Sequence, residues 1–302
     1  MFRVIPKLKN KGDMMMNFKK GLETLIGQYD GYIIDLYGVV HNGQVPFEGV
    51  KDFLETLRDQ NKMVIFLSNS PRRGYAVAES LREAFGITDD LYDDIYTSGE
   101  DAYINLMHPE IPAYKDFNKK CIAITEKHHK VLFDDLSLNV TDNLDDATFI
   151  MNTGPSGMDE AGYKSLFEET LKRSLPMLCV NPDLAVLLGS KMTLCAGSIA
   201  KMYEEMGGKV YYHGKPYPAI YEAIINKFGP IEKNRLLAIG DSLNTDILGA
   251  SRMDLDSLLV LSGMEGRALA VKGDQQPDYE AFAALCETKG AKPTYVAPSL
   301  KL

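Results

Sequence analysis

Apolar residues in this chain fall into short unbroken runs, set between stretches where they recur every three or four positions. Tyr32-Ile33-Ile34, Met63-Val64-Ile65-Phe66-Leu67, Val210-Tyr211-Tyr212 and Leu236-Leu237-Ala238-Ile239 are such runs, followed by Asp35, Ser68-Asn69, His213-Gly214 and Gly240. Their length and their turn-forming boundaries predict interior parallel strands buried on both faces. Between the first two, Val50, Phe53, Leu54 and Leu57 keep helical spacing, which predicts a right-handed βαβ unit. Ser70-Pro71 pairs a capping hydroxyl with a proline suited to a first helical position, and predicts a helix through Tyr75, Val77, Leu81 and Phe85 to Gly86. Short helices are expected at 18–26 and 198–205. Later ones are expected at 218–228, from Thr245-Asp246 onward and at 279–288, with strands at 257–261 and 293–296.

A second alternation of strands and helices occupies the middle of the chain. Apolar runs at 121–124, 147–151 and 176–180 and a helical pattern over 159–173 interrupt the first series, as an inserted domain does. The expected organisation is a core of residues 17–103 and 209–302, an inserted α/β domain of residues 104–208, and a loosely ordered segment 1–16 ending in Met14-Met15-Met16.

In a parallel sheet, ligands bind outside the carboxyl ends of the strands. The four runs of the first series carry Asp35, Ser68-Asn69, Lys215 and Asp241 to what is expected to be one such edge. Two carboxylates there suit Mg²⁺, a hard cation that takes oxygen ligands and fills its shell with water and phosphate. The lysine supplies a point charge for phosphate, and Ser68, Asn69 and Ser70 supply donors.

In that order, Asp35-Leu36-Tyr37-Gly38-Val39-Val40, Leu67-Ser68-Asn69-Ser70, Gly214-Lys215-Pro216-Tyr217-Pro218 and Gly240-Asp241-Ser242-Leu243-Asn244-Thr245-Asp246-Ile247 resemble the four motifs of the haloacid dehalogenase (HAD) superfamily of phosphohydrolases. The resemblance runs from about Tyr29 to the C-terminus and points to the subclass with a large α/β cap after the second motif. It implies an α/β fold with a Rossmann-like parallel-sheet core and an inserted cap that chooses the substrate. It further implies an aspartyl phosphate on Asp35, Lys215 as the phosphate-side cation, and Mg²⁺ held by Asp35, Asp241, Asp246 and the backbone carbonyl of Tyr37. Asn181-Pro182-Asp183 matches a cap segment, so Asn181 and Asp183 are expected to face a small phosphorylated substrate; the loop Asn152-Thr153-Gly154-Pro155 is a second candidate.

One position departs from the family. Tyr37 stands where the motif has a second aspartate serving as general acid and base. A phenol with an ordinary pKa of about 10 can give a proton but is a poor base at neutral pH. Two readings follow: a Mg²⁺-dependent phosphatase with Asp35, Lys215 and Tyr37 in the chemistry, or a phosphometabolite-binding or regulatory protein that has lost useful turnover.

Composition narrows the partners. A formal charge of −9, with 33 basic against 42 acidic residues and no basic block, argues against nucleic acid and anionic membranes. Cys121, Cys179, Cys195 and Cys286 form no Cys-x-x-Cys pair and are read as reduced thiols of a cytoplasmic protein. Oligomeric state is left open, a homodimer included. His41, Arg72 and Arg73 lie near the expected edge, but a hydrogen-bonded turn histidine and a solvated helix start explain them as well. Ser198-Ile199-Ala200-Lys201 lacks the companion motifs of penicillin-binding enzymes, Gly214-Lys215 lacks Walker spacing, and His128-His129 reads as a polar turn.

Overall fold

The computed structural model describes residues 17–302, apart from 109–113, 116, 118, 127, 128, 189 and 190. The expectation for residues 1–16, and His128, lie outside the described residues. After the short helix α1 (Glu23–Ile26), the chain lays down β1 (Gly31–Ile34), α2 (Val50–Asp59), β2 (Met63–Ser68), α3 (Gly74–Phe85), β3 (Asp94–Thr97) and α4 (Ser98–Met107). It then builds a second unit from β4 (Lys120–Ile124), α5 (Lys130–Asp135), β5 (Asn139–Val140), β6 (Phe149–Asn152), α6 (Glu160–Lys172) and β7 (Met177–Cys179). A hairpin of β8 (Ala185–Leu188) and β9 (Lys191–Leu194), then α7 (Ala196–Glu205) and β10 (Val210–Tyr212), complete that unit. The chain returns through α8 (Pro218–Lys227), β11 (Leu236–Gly240), α9 (Leu248–Arg252), β12 (Asp256–Val260), α10 (Met264–Ala268), α11 (Tyr279–Lys289) and β13 (Tyr295–Ala297).

The first sheet is all parallel, in the order β13-β12-β11-β1-β2-β3. Strand order therefore reverses between β1 and β11, the doubly wound arrangement. Alternate residues of β1 enter opposite cores. Tyr32 and Ile34 pack with α1, α2 and α3, while Ile33 packs with Ile220, Tyr221 and Ile224 of α8. Burial on both faces is why the run carries no polar alternation.

The second parallel sheet, in the order β10-β7-β6-β4-β5, has its own reversal, between β4 and β6. Its apolar strands pack against α6 and α7 on one face and against α5 on the other. The expectation that Val210-Tyr211-Tyr212 belongs to the first sheet is corrected here, because β10 pairs with β7 at the edge of the second. The second sheet thus extends past residue 208, and the boundary expected at 103/104 falls inside the continuous helix α4. An apolar run announces a strand but not which neighbour accepts its hydrogen bonds.

Local chemistry also moved the start of α3. Ser70 does not cap it: the Ser70 Oγ accepts from the Arg72 N–H at 3.3 Å, closing a turn, and the helix begins at Gly74 with Arg73 in the capping position. All four cysteines are free and buried, and no helix among the described residues is long and apolar enough to cross a membrane.

The chain leaves the first unit after α4 and returns to it at 213–214. A buried polar group ties both crossings to the first sheet. His213 Nδ1 lies 2.6 Å from Asp101 Oδ2 on α4, and His213 Nε2 lies 3.1 Å from the Tyr114 hydroxyl. Asp101 Oδ1 accepts in addition from Tyr96 and Asn105, each at 3.3 Å. Removing the imidazole strands a buried carboxylate, so His213→Ala is expected to lower unfolding free energy by about 2–4 kcal/mol. Urea unfolding at unchanged slope measures it; a loss below about 0.5 kcal/mol, the range of ordinary surface changes, contradicts it.

Candidate active site

Asp35 sits one residue beyond β1, and its N–H still donates to Ile239 O at 2.9 Å, so the ladder with β11 holds its backbone at the reversal point. The chain then folds tightly, with the N–H groups of Val39, Val40 and His41 all turned to Leu36 O. Gly38 makes this loop possible twice over: its φ is +88°, and a Cβ there would collide with the Asp241 carboxylate. Asp241 follows β11, and Met264 N donates to its Oδ2 at 2.6 Å. Asp246 rides on a single π-helical turn, Leu243–Ile247, packed over Gly240.

Lys215 joins these loops. Its Nζ donates to Asp35 Oδ1 and Asp246 Oδ1, both at 2.6 Å, and to Leu67 O at 3.1 Å, which uses all three ammonium protons. Although burial opposes its charge, Asp246 and Asp35 hold Lys215 well above the ordinary lysine range. Asn69 fixes the lysine's backbone from both sides, its Oδ1 accepting from Lys215 N at 2.7 Å and its Nδ2 donating to Lys215 O at 3.1 Å. The same Nδ2 donates to Asp183 Oδ1 at 2.8 Å. One amide therefore connects the end of β2, the lysine loop and the end of β7 in the second sheet.

Carboxylate oxygens of Asp35, Asp241 and Asp246 come within 4.8 Å of one another. Three buried acids against one lysine leave an uncompensated negative charge. Burial, followed by the neighbouring acids, raises Asp241 well above the usual carboxylate range. Asp35 is pushed up to about 7 by burial, with Lys215 opposing. A crowded all-oxygen donor set of this kind fits a hard divalent cation.

The other expected residues divide. Ser68 is buried and Ser70 half-buried beside this edge, their oxygens accepting from Ser70 N and Arg72 N, which leaves each hydroxyl proton to donate elsewhere. Asn181 is half-buried, its Oδ1 accepting from Asp183 N at 3.1 Å. Asn152 and Thr153 are fully buried, bound to Ala196 O and to the Thr125 hydroxyl, as at an ordinary strand end. The Tyr37 hydroxyl donates to Asn42 O at 2.8 Å, and burial, aided by Asp241, raises its pKa further. His41 stacks on Phe85 at 4.1 Å and accepts from Gly43 N; burial pushes it down to about 4, a neutral turn histidine. Arg72 donates to Ala76 O, while Arg73 pairs with Glu100 and Asp135.

Three residues at the end of β12 went unnoticed in the pattern. The Ser262 Oγ donates to Gly38 O at 2.7 Å, Gly263 leaves room for Asp241, and the buried Glu265 accepts from Leu243 N at 3.0 Å. The signal was present, since the run at 257–261 also ends in small residues, but it carries no acid at the strand end itself.

Fold and site together define a class: a doubly wound α/β protein with an acidic, lysine-bridged centre at its reversal point and a second α/β unit inserted between the strands that build it. The comparisons agree. A haloacid dehalogenase-like hydrolase family matches residues 32–138, and a HAD-hydrolase-like family matches residues 212–301. Phosphoglycolate phosphatase 2 of Arabidopsis thaliana is 27% identical over 300 residues, covering 87% of this chain and 92% of that protein. The 4-nitrophenylphosphatase of Schizosaccharomyces pombe is 26% identical, covering 89% and 97%. A haloacid dehalogenase-like hydrolase from Brucella suis 1330 superposes with a TM-score of 0.77 at 27% identity, covering 93% of this chain and 99% of that one. The chain belongs to the haloacid dehalogenase-like hydrolases.

The raised carboxyls give a pH signature. Held above their unfolded value of about 4, they make the metal-free folded chain bind more protons than the unfolded one, so its stability falls as pH rises from about 4 toward 7. A cation relieves that repulsion. The melting temperature gained on adding Mg²⁺ over EDTA is therefore expected to be larger at about pH 8 than at about pH 5, and to shrink in Asp241→Asn. An equal gain at both pH values counts against these acids as the metal site.

Proposed function

We propose that this protein is a Mg²⁺-dependent phosphoric monoester hydrolase that acts on a small phosphorylated metabolite through a covalent phosphoryl group on Asp35. The observation that carries the reading is the Lys215 ammonium shared between Asp35 and Asp246, with Asp241 alongside, at the reversal point of the first sheet. Names of the relatives support it: they are phosphatases of phosphoglycolate and of 4-nitrophenyl phosphate.

Asp35, Asp241, Asp246 and the Tyr37 carbonyl would hold the Mg²⁺, whose charge offsets the repulsion between a carboxylate and a phosphate dianion. Lys215 keeps the Asp35 carboxylate in one orientation. The attack of that carboxylate on phosphorus divides one difficult displacement into two easier ones. Donors at Ser68, Asn69 N–H and Ser70 would take the phosphoryl oxygens, and such preorganised donors stabilise the transition state. The inserted unit, meeting the site through Asn69 and Asp183, serves as the cap that selects the alcohol portion of the substrate. A second reading, binding without turnover, rests on the Tyr37 hydroxyl, which is committed to Asn42.

A panel of phosphate monoesters assayed for inorganic phosphate separates the two. Hydrolysis of at least one is expected with Mg²⁺, lost with EDTA and regained on adding the metal back. Asp35→Asn should lower the rate by roughly 10⁴-fold or more, as removal of a nucleophile does. Wild-type turnover in that variant would rule out the covalent route, and a folded, Mg²⁺-binding protein that releases no phosphate from any monoester favours the binding reading.

A further inference from the structure

Phosphoryl transfer to Asp35 leaves two protons to be moved, one onto the departing alkoxide oxygen and one off the attacking water. Tyr37 is badly placed for both, since its hydroxyl proton is given to Asn42 O and its phenolate is disfavoured by burial and by Asp241. The other titratable groups near the edge are engaged. His41 is stacked on Phe85 and bonded within its turn, and His213 is held between Asp101 and Tyr114. Glu265 lies behind Asp241 with its carboxylate on Leu243 N, and Asp246 accepts from Lys215.

Asp183 differs from all of these. The Asn181-Pro182-Asp183 turn carries it off the end of β7 toward the first sheet, where Pro182 packs beside Gly214 and Asn69 receives the carboxyl. Only Oδ1 is bonded; Oδ2 has no hydrogen-bond partner among the described residues, and the residue is half-buried. It lies close enough to the centre for its charge to raise Asp35 and for Lys215 and Asp246 to act on it in turn.

We propose that Asp183, contributed by the inserted unit, is the general acid and then the general base of this hydrolase. The proposal rests on the phosphatase reading and moves proton transfer from the first loop to the cap. In the first half-reaction an Asp35 oxygen bonds to phosphorus, the phosphorus–alkoxide bond breaks, and the departing oxygen takes the Asp183 proton to leave as the alcohol. In the second, Asp183 carboxylate takes a proton from water as that oxygen bonds to phosphorus. The bond from phosphorus to Asp35 then breaks, releasing inorganic phosphate and regenerating both carboxyl groups. Such a role needs a carboxyl that is protonated often enough to donate and does not repel phosphate. Burial raises Asp183 above the usual range, with Lys215 and the Asn69 bond opposing and Asp246 adding. The titratable groups it faces are Lys215, Asp35 and Asp246, with the thiols Cys179 and Cys195 beyond.

Asp183→Asn keeps an oxygen to accept from Asn69 but has no carboxyl proton to exchange. With an alkyl phosphate, whose leaving oxygen needs a proton, kcat/KM is expected to fall by roughly 10²–10⁴-fold. With 4-nitrophenyl phosphate, whose leaving group needs none, the first-turnover release should fall much less. A slow steady state should follow, with phosphorylated protein detectable by mass spectrometry. Asp183→Ala, if the cavity is tolerated, should regain alkyl phosphate turnover with added formate. Equal losses on both substrates, or no loss on either, overturn the assignment while leaving the phosphatase reading intact. A wild type inactive on every monoester overturns both.

Discussion

One buried ammonium holds the centre of this molecule together. Lys215 is bonded to Asp35, Asp246 and Leu67 O, so three separate parts of the sequence meet on a single nitrogen. Taken alone, each of those acids is a costly thing to bury. Taken together they still exceed the positive charge, and that excess gives the site its appetite for a divalent cation. Stability and chemistry thus draw on the same unbalanced charges, which is common where carboxyl groups with displaced pKa values cluster.

Two doubly wound sheets are linked beside this nitrogen through Asn69. The first supplies Asp35 and Asp241 from the two strands flanking its reversal point, where the crevice of such a sheet lies. The second supplies the lysine's approach from β10 and the Asp183 turn from β7. Asn69 reads both at once, its amide bonded to the Lys215 backbone and to Asp183. The buried His213–Asp101 contact lies next to the lysine loop.

The departure at Tyr37 fits this division of labour. Its ring packs on the loop that Gly38 allows, edge-on to His41 with centroids 5.5 Å apart, and its hydroxyl closes the same loop through Asn42. A residue that in the resembled family handles protons is here part of the scaffold that positions Asp35. The backbone carbonyl, which any residue offers, is unaffected by the exchange.

Periodicity alone determined much of the architecture. Apolar runs without alternation can be satisfied only between two layers of helix, so residues 32–34, 63–67 and 236–239 had to be interior strands, and an acid or amide at their ends had to sit at a sheet edge. Pairing was another matter. The run at 210–212 looks like the others, yet it joins the second sheet, because hydrogen-bonding partners are chosen by which edge lies within reach and sequence periodicity is blind to that. Ser70-Pro71 looked like a helix start, but the hydroxyl found a nearer partner in Arg72 N–H. Ser262, Gly263 and Glu265 carry no motif and matter only because β12 lies beside β11. The residue types of the centre were legible along the chain. Their convergence on one nitrogen, and the turn that brings Asp183 to Asn69 across 114 positions, were decided by tertiary packing, since only folding sets distances between groups so far apart in sequence.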